Sequence, residues 1–224
     1  EFKGGFSADQ GRKLGTSSFA MGMMDEGAGE LDSLAFGDRA ESLGANLGAG
    51  ASLDGGKAYL SALRENLDPS VALFAKMLRE PRFDQKEIDR VKASWLAGIK
   101  QEKARPNGAA MRVLPPLLYG AGHAYAVPFS GSGTEDSIAS LTRDDLVAFH
   151  RDWVRPDGAT LIVVGDTTLK EIVPLLDKHL GDWKAAGDAP ARPQIGEVAR
   201  PAKPRVFLID QPGAVQANIF AGEV

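Results

Sequence analysis

Apolar positions recur at helical spacing in several stretches of this chain and run together or alternate in others. Phe36, Ala40 and Leu43 follow Asp32, a suitable N-cap, and Gly44 stops the pattern, so a short helix is predicted there. A second helix opens at Asp68-Pro69, with Val71, Phe74, Ala75 and Leu78 on one face and Pro81 beyond it. The longest starts at Asp84, which with Glu87 has the form of a capping box. It places Ile88, Val91, Trp95 and Ile99 on one face and ends before Pro106. Residues 107–119 are weakly helical, interrupted by Pro115-Pro116. Two more helices are predicted, one after Thr142 (Leu146, Phe149 and Trp153 inward) and one after Thr168 with Glu171 (Ile172, Leu175, Leu176 and Leu180 inward).

Strand patterns occupy the remainder. Residues 1–6 read as a strand. Residues 45–52 and 57–65 read as two more, with Asp54-Gly55-Gly56 as the hairpin signal between them. Thr160-Leu161-Ile162-Val163-Val164 is a continuous apolar run and predicts a buried strand. Residues 120–134 are glycine-rich and read as loop. Residues 185–204 hold four prolines and read as a linker or a chain draped over a surface. Residues 206–209 and 216–221 then read as two strands around Pro212-Gly213. This mixed order predicts an α+β fold of two layers, a mostly antiparallel or mixed sheet packed against helices. The expected organisation is one module over 1–184, a linker over 185–204 and the first strands of a following, truncated module over 205–224. Both ends fall inside strand patterns, so a fragment of a longer polypeptide is expected.

Composition narrows the functions. With 224 residues, 43% hydrophobic and 25% charged, the chain can bury a sizeable core without a staple. A net charge of −4 argues against a nucleic-acid partner. The absence of cysteine removes disulfides, thiolate metal sites and a cysteine nucleophile. No apolar run reaches the length of a membrane span.

Candidate chemistry is sparse. The three histidines, His123, His150 and His179, are not at ligand spacing. His150 and His179 lie towards helix ends, where capping or surface roles are expected. Asp25 and Glu26 are helix neighbours and diverge by about 100°, so they do not face one target. Residues 47–52 are small but no helix start follows, which argues against a phosphate cradle. Ser130-Gly131-Ser132-Gly133-Thr134 is no nucleophile elbow and reads as a flexible loop. Met21, Met23 and Met24 read as core filler.

Seven phrases in order carry a resemblance: Asp25-Glu26-Gly27; Glu41-Ser42-Leu43-Gly44-Ala45; Leu67 to Met77 with Glu80-Pro81; Phe83 to Lys103; Leu118-Tyr119-Gly120; Leu141 to Val164; and Gly181-Asp182-Trp183. Over about 180 residues they resemble the pitrilysin, insulinase and mitochondrial processing peptidase family of inverted zincins. Active members carry an H-x-x-E-H motif. Here the matching slot reads Ser18-Phe19-Ala20-Met21-Gly22. Carried over by position, the two histidines fall on Ser18 and Gly22 and the general base on Met21. The distant glutamate ligand falls on Gly98, and an acidic residue seven positions earlier falls on Val91. None of these can grip zinc or move a proton.

The resemblance therefore implies a module with no catalytic residue and no metal of its own, forming substrate-chamber wall or scaffold in a zinc metalloendopeptidase. Zinc and hydrolysis would belong to another module of the same chain or to a paired family subunit. A family loop near the chamber makes His123 and Tyr125 candidate contacts for a peptide substrate, and exported relatives imply the periplasm. The alternative within the family is a purely structural, assembly subunit.

Overall fold

A computed structural model describes residues 1–210 and 212–224. Among them a small antiparallel sheet is covered by helices, as the α+β pattern predicts. Strand β1 (Phe2–Lys3), β2 (Asn46–Ala51) and β3 (Gly55–Ser61) lie in the order β1-β3-β2. Ser52 N donates to Gly55 O at 2.7 Å and closes the β2–β3 hairpin around Leu53-Asp54. The register runs from Asn46↔Ser61 to Ala51↔Gly56. The second strand is shorter than the 57–65 pattern, because residues 64–66 turn into a 3₁₀ segment.

Among the described residues there are eight α-helices: α1 (Thr16–Gly22), α2 (Ser33–Ser42), α3 (Leu67–Arg79), α4 (Gln85–Ala104), α5 (Pro106–Tyr119), α6 (Glu135–Ser140), α7 (Arg143–Trp153) and α8 (Leu169–Leu180). Helix α1 is sandwiched between β2 and α7, α3 packs against β3 and α8, and α4 packs against α5 and α6. Phe19, Met21, Met77, Phe83, Leu146 and Phe149 are fully buried where these layers meet. The α2 cap forms as expected, with Asp32 Oδ1 accepting from Ala35 N at 2.9 Å. The Thr168/Glu171 capping box also forms.

Several expectations need correcting. Asp84 makes no capping box. Its carboxylate accepts from Arg82 Nε at 2.6 Å, and Glu87 accepts from Arg90 Nε at 2.7 Å. Residues 106–119 form one unbroken helix despite Pro115 and Pro116. Pro115 has no N–H for the Met111 carbonyl, and Phe129 N supplies it from outside at 3.1 Å. The run 160–164 is not a buried strand. Apart from Thr160, no residue of it is paired, and Leu161 to Val164 are exposed, because no strand lies alongside among the described residues. Residues 206–209 and 216–221 are likewise exposed and outside any ladder, so neither is a strand here.

The 185–204 segment is pinned rather than free. Arg155, 6% exposed, donates to the carbonyls of Ala186, Gly187 and Asp188. Farther along, Gln194 N donates to Gln10 Oε1 at 3.0 Å.

Candidate functional site

Helix α1 owes its start to a residue far from it in pattern. The buried Asp9 carboxylate accepts from Gly15 N at 2.7 Å, Ser17 N at 3.0 Å and Ser17 Oγ at 3.2 Å, satisfying orphan donors of the first turn. Burial is the largest influence on Asp9 and pushes its pKa up to about 7, against the opposing pull of those hydrogen bonds. Sequence pattern gives no sign of this cap, since Asp9 lies seven residues before the helix and is brought back by a turn.

Of the three α1 positions carried over from the zinc motif, Ser18 and Gly22 lie one turn apart on the same helix face, and Met21 turns to the sheet. Met21 packs towards the sheet, its Sδ 3.4 Å from where a Cβ on Gly56 would stand. The Ser18 hydroxyl is buried without a hydrogen-bond partner among the described residues. It lies 2.5 Å from the place a Cβ would occupy on Gly131. Gly22 faces the Trp95 ring of α4, 3.9 Å from its own absent Cβ.

Trp95 is the centrepiece. Its ring meets Phe19 edge-on, 5.3 Å between centroids at 60°, and its Nε1 donates to Ser132 O at 2.9 Å. Val91 and Gly98 flank it at i−4 and i+3 on the same helix face. All three line a cleft of about 430 Å³ with Glu26, Arg90, Ser94, Ile99 and Ser132. Glu26 is itself bonded to Arg90 and to Ser33 Oγ. The structure thus gathers Gly22, Val91 and Gly98 around one indole, leaves Ser18 one turn along the Gly22 face against the 130–134 loop, and turns Met21 to the sheet. A zinc ion needs three or four nitrogen, sulfur or oxygen donors converging at about 2 Å. The residues present do not fit it. Among the described residues no group of three or more His, Cys, Asp or Glu side chains could hold a metal.

The glycine-rich loop at 130–134, expected to be flexible, is locked. Arg112 donates to Glu102 Oε2 at 3.0 Å, Ser132 Oγ at 2.6 Å and Gly133 O at 2.5 Å, and Ser132 Oγ donates to Glu102 at 2.7 Å. Arg112 and Glu102 are largely buried, so this pair acts with little solvent screening. Gly131 and Gly133 have φ of +67° and +71°, which lets the backbone press onto α1 and onto Leu14. The loop seals the side of α1 that Ser18 faces.

His123 and Tyr125 belong to an aromatic cluster with Tyr119 and Phe129. The His123 ring stacks on Tyr119 at 5.1 Å and 15°, its Nδ1 accepts from Tyr125 N at 3.0 Å, and its Nε2 lies 3.0 Å from Gly196 O. Tyr125 donates its hydroxyl to Asp54 Oδ1 in the hairpin turn at 2.8 Å, and that bond raises the phenol pKa. Phe129 passes from this cluster into a second cleft of about 410 Å³, lined also by Phe6, Ala51, Ser52, Leu53 and Ser130. His150 is part-buried on α7. Its Nε2 lies 2.8 Å from Leu78 O, and burial lowers its pKa. His179 lies 2.6 Å from Asp68 and ties α8 to α3.

Sequence profiles of known families agree with this geometry. The profile described as insulinase (peptidase family M16) matches residues 2–121, and the one described as the peptidase M16 inactive domain matches residues 140–222. The chain belongs to the insulinase, or M16, peptidase family. It is similar to the non-peptidase homolog YmxG of Helicobacter pylori, 23% identical over 181 residues, which covers 80% of this chain and 41% of that protein. It is also similar to a Bacillus subtilis protein named an uncharacterized zinc protease YmxG, 25% identical over 178 residues, covering 78% and 42%. The chain thus spans well under half the length of these relatives. A solved M16 inactive domain from Pseudomonas fluorescens superposes with a TM-score of 0.79 at 30% identity, covering 89% of this chain and 47% of that one. The periplasmic protease PqqL of Escherichia coli shares the fold, with a TM-score of 0.71 at 24% identity over 84% and 21% of the two chains. The chain is a non-catalytic module of a zinc-protease family.

Proposed function

We propose that this module forms wall of a peptide-binding chamber in a zinc metalloendopeptidase, with the bond broken at a zinc–water held by another module of the same chain or by a paired family subunit. The emptied ligand positions of this reading are Ser18, Met21, Gly22, Val91 and Gly98. The observation that carries it is the pairing of a face without metal donors, filled by Trp95, with an open aromatic cleft beside the hairpin. In that cleft Phe6 and Phe129 offer apolar surface, while Ser52 and Ser130 offer polar groups. This is the composition that holds an extended peptide without acting on it. The β2 edge beside it offers main-chain groups to a peptide strand, which tolerates varied sequences. In this reading residues 1–184 are the module, 185–204 the connection and 205–224 the opening of the next module. The periplasm is the proposed location, supported by the likeness to PqqL.

Fluorescence polarisation with a labelled, unstructured peptide of about 15 residues tests this. Binding without cleavage, weakened by Phe129→Ala, is the expected result. One specific observation favours a second reading, a purely structural assembly subunit: 24% identity over 169 residues to cytochrome b-c1 complex subunit 1 of Caenorhabditis elegans. Absence of peptide binding would decide for that reading.

A further inference from the structure

The stretch after α8 is tied down at two places of unequal build. At the first, the guanidinium of Arg155, 6% exposed, uses all five of its N–H donors. Nε and Nη2 clasp the Asp157 carboxylate at 3.0 and 2.8 Å. Nη1 donates to Ala186 O at 3.0 Å and Asp188 O at 3.1 Å, and Nη2 donates to Gly187 O at 2.9 Å. Gly187 has φ +68°, a turn that brings three successive carbonyls onto one cation.

The second place lies at 194–196, and its bonds are exposed. Gln10 Oε1 accepts from Gln194 N at 3.0 Å, and Gln10 Nε2 donates to Gly122 O at 3.0 Å and lies 3.5 Å from Gln194 O. Beside Gly122, His123 Nδ1 accepts from Tyr125 N at 3.0 Å. The ring proton therefore sits on Nε2, which donates to Gly196 O at 3.0 Å. Ile195, between these ties, is 55% exposed. The two places differ in strength for a physical reason. Charge-assisted bonds are about twice as strong as neutral ones, and breaking those at Arg155 strands a buried cation. Neutral bonds at the surface exchange readily with water. Pro190 and Pro193, both half-buried, stiffen the chain between the two places.

We infer that residues 186–196 form a strap with a fixed anchor at Arg155 and a releasable end at Gln10 and His123, so that 194–196 lifts away while 186–188 stays in place. Lifting requires nothing of His123 Nδ1. The Tyr125 turn and the Tyr125–Asp54 bond persist, and the aromatic cluster keeps its shape. Release presents the Gln10 amide and the His123 Nε2–H to solvent beside that cluster. This inference does not depend on the chamber reading.

Two proteases read the two ends separately on the whole chain. Arg192, Arg200 and Lys203 each precede a proline, where trypsin does not cut, so trypsin reads the anchor at Lys184–Ala185. A glutamate-specific protease reads the releasable end at Glu197–Val198. Gln10→Ala with His123→Asn removes the ties to 194–196. Asparagine still offers an acceptor to the N–H two residues on, so the Tyr125 turn is kept. Cleavage after Glu197 tracks the open population and is expected to rise by about tenfold, with cleavage after Lys184 within about twofold of wild type. His123→Asn alone should give part of that rise, and it decides the matter if the double variant unfolds in urea at a lower midpoint. Arg155→Lys, which keeps the charge but not the fork, should raise cleavage after Lys184. An unchanged rate after Glu197 in these variants would overturn the inference. So would an equal rise at both bonds, or wild-type cleavage after Glu197 as fast as that of an unstructured peptide of the same sequence.

Discussion

Replacing Ser18 by alanine should make this protein more stable, and the reason lies in the emptied centre. The Ser18 hydroxyl is buried with no partner among the described residues. An unpartnered buried hydroxyl costs about 1–3 kcal/mol in proteins. Alanine adds roughly 0.5 kcal/mol of helix propensity over serine. Lost contacts around the oxygen offset part of this, leaving a net gain of about 1 kcal/mol. For a chain of this length that is an increase of about 2–4 °C in Tm. Urea unfolding followed by tryptophan fluorescence should show a higher midpoint at unchanged slope. A lower midpoint would refute the reasoning, because it would mean the hydroxyl is bonded. A double-mutant cycle sharpens the test. Gly131→Ala forces a side chain at φ +67°, 2.5 Å from Ser18 Oγ and 2.6 Å from Phe6 Cδ1, and should cost about 2–4 kcal/mol. In the Ser18→Ala background that cost should fall by about 1 kcal/mol. Strict additivity would show that the loop does not press on α1.

Two further outcomes follow from the groups around this centre. The folded state holds the Asp9 proton up to about pH 7 whereas an ordinary aspartate releases it near 3.8, so ionising Asp9 costs stability as pH rises across that window, by up to about 1.4 kcal/mol per pH unit. The stability difference between wild type and Asp9→Asn, from urea midpoints at pH 4.5 to 7.5, should shift steadily in favour of the variant as pH rises; a pH-independent difference would contradict the buried-carboxyl reading. Arg112→Leu leaves Glu102 unpaired and should cost about 3 kcal/mol and open 130–134 to proteolysis, while Arg112→Leu with Glu102→Leu should be less destabilised than the single change.

The parts legible in sequence are those set by local pattern. Leu146, Phe149 and Trp153 sit inward on α7 because their spacing leaves no other face to bury. The hairpin at 52–55 follows from Asp54-Gly55-Gly56, and the α+β layering follows from the order of elements. The family was legible too, from seven ordered phrases. What escaped depends on distant partners. Nothing near Pro115 announces that Phe129 will cap its orphan carbonyl. Glycines at 131 and 133 suggested mobility, but the long-range bonds from Arg112 turn the same residues into a close-packed seal. The apolar run 160–164 has the right composition for a strand, yet a strand needs a neighbour, and composition does not supply one. At the candidate site, spacing put Val91 and Trp95 on one face and the family resemblance pointed to Gly98, but only the fold shows the indole lying against Gly22.

The account rests on a centre that offers no metal donors. The direct measurement is elemental analysis of the purified chain after equilibration with excess zinc and desalting, alongside a peptidase assay on the same sample. Zinc far below one equivalent per chain, with no cleavage above the blank, is the predicted result. One tightly held zinc per chain accompanied by cleavage would contradict it.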